Sequence, residues 1–266
     1  MSFQPVISGT GVAGWRFLQR TYDTQFDAFN KTTVLKRDQD YFAENISQIT
    51  NAEDLVADRR LLSIALGAYG LQDDLDNRFF IQKILEDGTS SDDALANRLA
   101  DDRYKSFSDA FGFGPSQVPM TMTTGFADKV LDRFRAQSFE IAVGEQDETM
   151  RIALFAQREL QDLTSSGKSL DAQWYTMMSI APLRSLFETA LGLPKSFGQI
   201  DIDKQFDTFR DKSQQVFGTD DLAQFLQPET QDKLLNTYLA RSQLNSFSAA
   251  TSSASVALTL LQNAVG

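Results

Sequence analysis

The chain has 266 residues, enough for one large domain or two modest ones, and it contains neither cysteine nor histidine. This excludes disulfides, the usual zinc sites and every mechanism that needs a thiolate or an imidazole within the chain. The net charge of −11 predicts repulsion from nucleic acid and from anionic membranes over most of the surface. We therefore expect no nucleic-acid partner. No segment approaches the ~20 apolar residues that span a bilayer, so we also expect no membrane insertion.

Periodicity along the chain favours helices over strands. Apolar residues recur at spacings of three and four, and no run shows the alternation and turn dipeptides of a hairpin. The sequence therefore predicts an all-α fold, a multi-helix globular bundle. Two helical subdomains joined near residues 112–123, covering residues 15–111 and 124–245, are an alternative to a single bundle.

The N-terminal part begins with a polar, glycine-containing segment over residues 1–14, which predicts a flexible lead. An aromatic stripe follows at helical spacing and predicts an amphipathic first helix. Its members are Trp15, Leu18, Tyr22, Phe26 and Phe29.

Helix signals continue through the first half. Residues 50–53, Thr-Asn-Ala-Glu, have the spacing of a capping box. Gly70 is predicted to end the helix that follows, and Asp101 to begin another that runs through Phe111. The segment Gly112–Pro119 holds two glycines and two prolines and is the clearest candidate for a boundary.

In the second half, Asp201 is predicted to cap a helix that Gly218 closes. Pro228 is predicted to open the last strong helix, with Leu244 among its apolar positions. Residues 246–266 carry no charge and predict a flexible or weakly helical tail. A second apolar stripe in this tail consists of Val256, Leu260, Leu261 and Ala264.

Several aspartates could assemble a cation site, or could simply lie at helix starts, where carboxylates favour the positive end of the helix dipole. No calcium-loop spacing is complete, so the second interpretation is favoured, and we expect no metal ion and no cofactor. The aspartates are Asp73, Asp74, Asp76, Asp92, Asp93, Asp101 and Asp102.

The two stripes leave two interpretations open. Both lie near the chain ends, outside the dense central pattern, and the simpler interpretation is that they dock on the core. Alternatively, they form contacts with a protein partner or a second copy of the chain. On this second interpretation the candidate partner-contact residues are the nine members of the two stripes.

Five segments together resemble an alphaproteobacterial family of unknown function whose genes commonly lie among flagellar genes. The segments are residues 12–21, 52–62, 65–71, 99–104 and 139–145. The resemblance covers most of the chain and includes no catalytic signature. It implies a bacterial protein tied to the flagellum.

The favoured hypothesis is thus a non-enzymatic structural or accessory component of the flagellum that acts through protein contacts. A cytoplasmic adaptor or export chaperone is the main alternative, and an enzyme that uses carboxylates alone is a further one. The expected location is the bacterial cytoplasm, or the flagellum after export without a cleaved signal.

Overall fold

The computed structural model of the protein describes residues 3–99 and 101–264, and from residue 249 onward it describes the backbone alone. The chain is 76% helical, with thirteen α-helices and no strand in the described part, which confirms the predicted all-α fold. The helices are α1 Gly11–Asn30, α2 Thr33–Asn45, α3 Ala52–Ala57, α4 Arg59–Ala68, α5 Arg78–Asp87, α6 Leu95–Arg98, α7 Asp102–Phe111, α8 Phe126–Gly144, α9 Glu148–Thr164, α10 Leu170–Ser179, α11 Ala181–Leu191, α12 Ile202–Phe217 and α13 Pro228–Ala264.

The chain divides into two compact units, and each is built from two stretches of sequence. The first unit consists of Met1–Val6 and Thr21–Val143, and the second consists of Ile7–Arg20 and Gly144–Gly266. The predicted boundary at residues 112–123 is therefore wrong, because that segment lies wholly within the first unit.

Contacts of this segment explain why it does not separate two domains. The Thr121 hydroxyl donates a hydrogen bond to the backbone carbonyl of Ile49. A Cβ on Gly114 would lie 2.6 Å from the Cα of Gly88, so the two backbones are in direct contact. Glycine and proline here permit a close turn against the first unit rather than a linker.

Aromatic side chains dominate the core of the first unit. Phe107 and Phe111 lie one turn apart on α7, with ring centroids separated by 5.0 Å. Phe111 also makes an edge contact with Phe126, at 5.1 Å. Around these rings pack the apolar faces of α2, α3, α4 and α5, and each buried large side chain contributes about 1.5–3 kcal/mol.

In the second unit, α11 packs against α9, α10, α12 and α13. Phe187 on α11 lies between two other fully buried rings. Its centroid is 5.6 Å from that of Trp174 and 5.4 Å from that of Phe225. These aromatic contacts hold the helices of the second unit together.

Helix ends largely follow the predicted chemistry. The Asp101 carboxylate accepts a hydrogen bond from the backbone N–H of Arg103, and Asp201 caps α12 in the same way. Gly112 and Gly218 end α7 and α12 in the left-handed conformation, where glycine avoids the steric cost of a Cβ. These ends are confirmed.

The capping box predicted at residues 50–53 is wrong by one residue. Asn51 is the N-cap of α3, and its side-chain oxygen accepts from the backbone N–H of Asp54 at 2.8 Å. The Asn51 amide also donates to the Asp54 carboxylate at 2.6 Å. An asparagine caps as well as a threonine does, and here its second bond adds to the stabilisation of the helix start.

The lead differs from the predicted flexible segment, whereas the tail is helical, which is one of the two alternatives predicted for it. Helix α1 begins at Gly11, within the segment predicted to be a flexible lead, and Pro5 is buried. The Gln25 side chain binds both backbone groups of Val6, accepting from its N–H at 2.5 Å and donating to its carbonyl at 3.0 Å. At the other end, α13 runs through residues 246–264 as one continuous helix.

Candidate interaction surfaces

The start of the α1 stripe is buried. Trp15 is 1% exposed and Leu18 is 0% exposed. Gly14 beside them is packed so closely that a Cβ would lie 2.5 Å from the Cε of Met150. Trp15 and Leu18 therefore offer no free surface, and their assignment as partner contacts is corrected.

The rest of the α1 stripe surrounds one buried ring of α8. Phe139 is 0% exposed and receives the rings of Tyr22, Phe26 and Phe29 at centroid distances of 5.3, 5.5 and 5.6 Å. All three contacts are edge-to-face, an arrangement that ring quadrupoles favour. These residues belong to the packing of the first unit, as the docked interpretation predicted.

The four candidates of the tail, Val256, Leu260, Leu261 and Ala264, lie on the C-terminal part of α13, and their side chains are outside the described residues. The preceding part of the helix is firmly anchored. Leu234, Leu235, Tyr238 and Leu239 are at most 2% exposed. The Gln243 amide donates to the Thr10 hydroxyl at 3.1 Å.

Immediately after Gln243 the character of α13 changes. Every residue from Leu244 to Ser248 is exposed, with Leu244 at 64% and Phe247 at 60%. From Ser242 to Gly266 the sequence has no charged side chain. Leu244, one of the apolar positions predicted for this helix, follows Leu239 by five positions and so points away from the buried stripe.

Two carboxylates of the first unit are held by neighbouring donors. Asp58 accepts from the hydroxyl of Tyr41 at 2.6 Å and from the backbone N–H groups of Arg60 and Leu61 at 2.9 and 3.0 Å. Burial alone would raise the pKa of Asp58, but these hydrogen bonds outweigh it and lower the pKa below the usual value. This carboxylate caps α4.

A second carboxylate, Asp74, accepts a hydrogen bond from the Tyr104 hydroxyl at 2.6 Å. Burial, followed by this bond, raises the pKa of Tyr104 to about 12. Others of the seven aspartates have separate roles: Asp76 forms an ion pair with Arg59, and Asp101 caps α7. Within residues 3–99 and 101–264, no three acidic side chains come together as a metal site.

Comparisons with known proteins complete this description. The fold and its surfaces define an all-α protein with a long, partly exposed C-terminal helix, and no helix in the described part is both long and apolar enough to span a bilayer. The chain belongs to the family described as "Protein of unknown function (DUF1217)", whose profile matches residues 68–231. The predicted resemblance to a family of unknown function is thereby confirmed, and its flagellar setting stays a prediction.

The fold is similar to the crystal structure of protein AGR_C_984 from Agrobacterium tumefaciens. The TM-score is 0.73 at 24% sequence identity, and the match covers 91% of this chain and 97% of that chain. At this level of identity the likeness concerns the fold alone. No curated protein matches the chain significantly.

Proposed function

We propose that the protein is a non-enzymatic structural or accessory component linked to the bacterial flagellum, and that it acts through protein–protein contacts. The observation that carries this proposal is the change along α13 from an anchored part to an exposed part, Leu244 to Ser248, that carries no charge. The anchored part ends at Gln243, and the helix continues to Ala264, which corresponds to about 30 Å of helix.

The chemistry of this exposed part favours another helix as its partner. Leu244 and Phe247 are three positions apart and therefore share a face of α13. In the sequence, spacings of four and three lead from Phe247 through Thr251, Ala254 and Leu258 to Leu261. Such a heptad spacing is typical of helices that pair along an apolar seam.

The flagellar setting is supported by the resemblance stated above, through the gene neighbourhood of the family.

Absence of charge in the exposed part of α13 also fits pairing between proteins. Because the chain carries a net charge of −11, an uncharged helix lets a second protein approach with little repulsion. An adaptor or export chaperone would use the same helix on a soluble substrate.

The test is deletion of the gene, followed by complementation with the wild-type chain, Leu244→Asp or Val34→Asp. Val34 is a matched control because it is 69% exposed on α2. We expect deletion to abolish swimming, and only Leu244→Asp to fail in restoring it. Both variants should melt at the wild-type temperature, since neither side chain is buried.

Fractionation identifies the role. Detection of the protein in purified filaments or basal bodies supports a structural component, whereas its presence only in the soluble fraction favours the adaptor. Normal swimming and normal flagella in the deletion strain would contradict the proposal altogether.

A further inference from the structure

An exposed apolar strip lies on the second unit between α10 and the start of α12. The Tyr175 ring stacks on the Phe206 ring, with centroids 4.8 Å apart and an interplanar angle of 5°. Ile202 lies one turn before Phe206 on the same face of α12. Tyr175 is 39% exposed and Ile202 is 48% exposed. Single exposed apolar side chains are ordinary, but here two exposed side chains adjoin the half-buried ring of Phe206.

The strip has a rigid support. Arg210 on α12 donates from Nε and Nη2 to the Asp220 carboxylate at 2.9 and 2.6 Å, and from Nη1 to Asp171 at 3.0 Å. Beneath it, Trp174 of α10 stacks with the buried Phe209 of α12 at 6.2 Å. These bonds fix α10 against α12, so the strip is formed before any partner arrives.

Carboxylates border the strip on the α12 side. Asp203 accepts a hydrogen bond from the Tyr175 hydroxyl at 2.8 Å. Asp207 and Asp211 make no hydrogen bond and no ion pair with any part of the chain that the structure describes. Together with Gln214 and Asp220 they line an open depression of about 370 Å³. Arg210, the basic residue in this lining, is already bound to two carboxylates of its own chain.

The excess negative charge here also acts on Tyr175. Its hydrogen bond to Asp203 raises the pKa of the Tyr175 hydroxyl, and burial and the charges of Asp203, Asp207 and Asp171 add to the effect. An apolar strip beside unpaired carboxylates is complementary to a segment that carries apolar and basic side chains together. A bound metal ion fits less well, because none of the described acidic side chains form a group of three that could hold one.

We propose that this surface is a docking site for a basic amphipathic segment of a partner protein. An apolar side chain of the partner covers Tyr175 and Ile202, and a neighbouring lysine or arginine places its cation between Asp207 and Asp211. This site includes no residue of α13, so its test is independent of the test of the proposed function.

The experiment measures binding of a fluorescein-labelled helical peptide of leucine and lysine to the full-length protein by fluorescence anisotropy at low salt. A peptide with glutamate in place of each lysine is the probe control. We expect the lysine peptide to bind and the glutamate peptide not to bind. The double variant Asp207→Asn/Asp211→Asn should weaken the affinity about three- to tenfold, as expected for two partly screened ion pairs.

The matched protein control is Asp92→Asn/Asp93→Asn in the first unit. Both carboxylates are exposed and make no bond within the described part of the chain, so this variant removes the same charge elsewhere. It should leave the affinity within about twofold, whereas Ile202→Ser should weaken it. Circular dichroism melting curves establish that every variant is folded.

Any one of the following results would overturn the proposal. The first is equal weakening by the two double variants, which would indicate general attraction to an acidic protein. The second is equal binding of the glutamate peptide. The third is failure of the lysine peptide to bind, or unchanged binding to the Asp207→Asn/Asp211→Asn variant.

Discussion

The indole Nε1 of Trp174 donates a hydrogen bond to the backbone carbonyl oxygen of Asp220, at 2.7 Å. Trp174 is 0% exposed, so water cannot take the place of the indole N–H as the donor to this carbonyl. The side chain of Asp220 binds Arg210 at the same time. One residue of the turn after α12 is therefore fixed through both its backbone and its side chain.

Trp174→Phe should destabilise the protein by about 1–3 kcal/mol, because the carbonyl of Asp220 loses its buried donor. Urea unfolding measures the loss, and hydrogen exchange should show faster opening of the turn around Asp220. Phe187→Leu is the control, since it also reduces a buried ring but removes no hydrogen bond. Unchanged exchange near Asp220 in Trp174→Phe would contradict this role.

Phe139→Ala should cost about 3–5 kcal/mol, because it removes the buried ring that three aromatic residues of α1 contact. Phe79→Ala is the matched control, since Phe79 is 91% exposed. It should change the free energy of unfolding by less than about 0.5 kcal/mol. Both values come from denaturant titration of the full-length chain, and equal effects would contradict the docked position of the stripe.

Alkaline pH should destabilise the protein, partly through Tyr238 on α13. Burial raises the pKa of Tyr238 to about 12 in the folded state, whereas an unfolded tyrosine ionises near 10. Its contribution is therefore fully present below about pH 10 and is lost as the pH rises towards 12. Between pH 9 and 11.5, the free energy of unfolding should fall less for Tyr238→Phe than for the wild type. The difference between the two decreases should be about 2 kcal/mol at most. Parallel stability curves would refute this.

Gly14→Ala should destabilise the protein although alanine is the better helix former by about 0.5–1 kcal/mol. A Cβ at Gly14 would lie 2.5 Å from the backbone oxygen of Gly9, which cannot move aside as a side chain can. We expect a net loss of about 1–3 kcal/mol in thermal or urea unfolding. At Gly144 the added Cβ would meet only the flexible Arg151 side chain, so Gly144→Ala should be nearly neutral.

Much of the fold was predictable because its signals are local. Asp101 and Asp201 are followed within a few residues by helical periodicity, and Gly112 and Gly218 occupy helix ends where positive φ is required. Such signals depend on the nearest backbone groups, which any sequence window contains. The all-α class followed from the sum of these segments.

What the sequence did not reveal depends on distant contacts. Nothing near Gly114 indicates that it lies against Gly88, so a glycine-rich turn was mistaken for a boundary. Tyr175 and Phe206 have the periodicity of core residues, yet they stack on the surface. The signal that could have revealed this surface is the density of aspartates around Phe206, since carboxylates rarely border a fully buried ring.

The division of α1 between the two units has a consequence for synthesis on the ribosome. Ile7–Arg20 is made before Thr21–Val143, but the rest of its unit, from Gly144 onward, is made after it. In between, Thr21–Val143 emerges with most of the first unit and can begin to fold as the chain grows. Ile7–Arg20 can therefore dock on its unit only after the chain beyond Gly144 has been synthesised. This docking is a late, non-local step of folding.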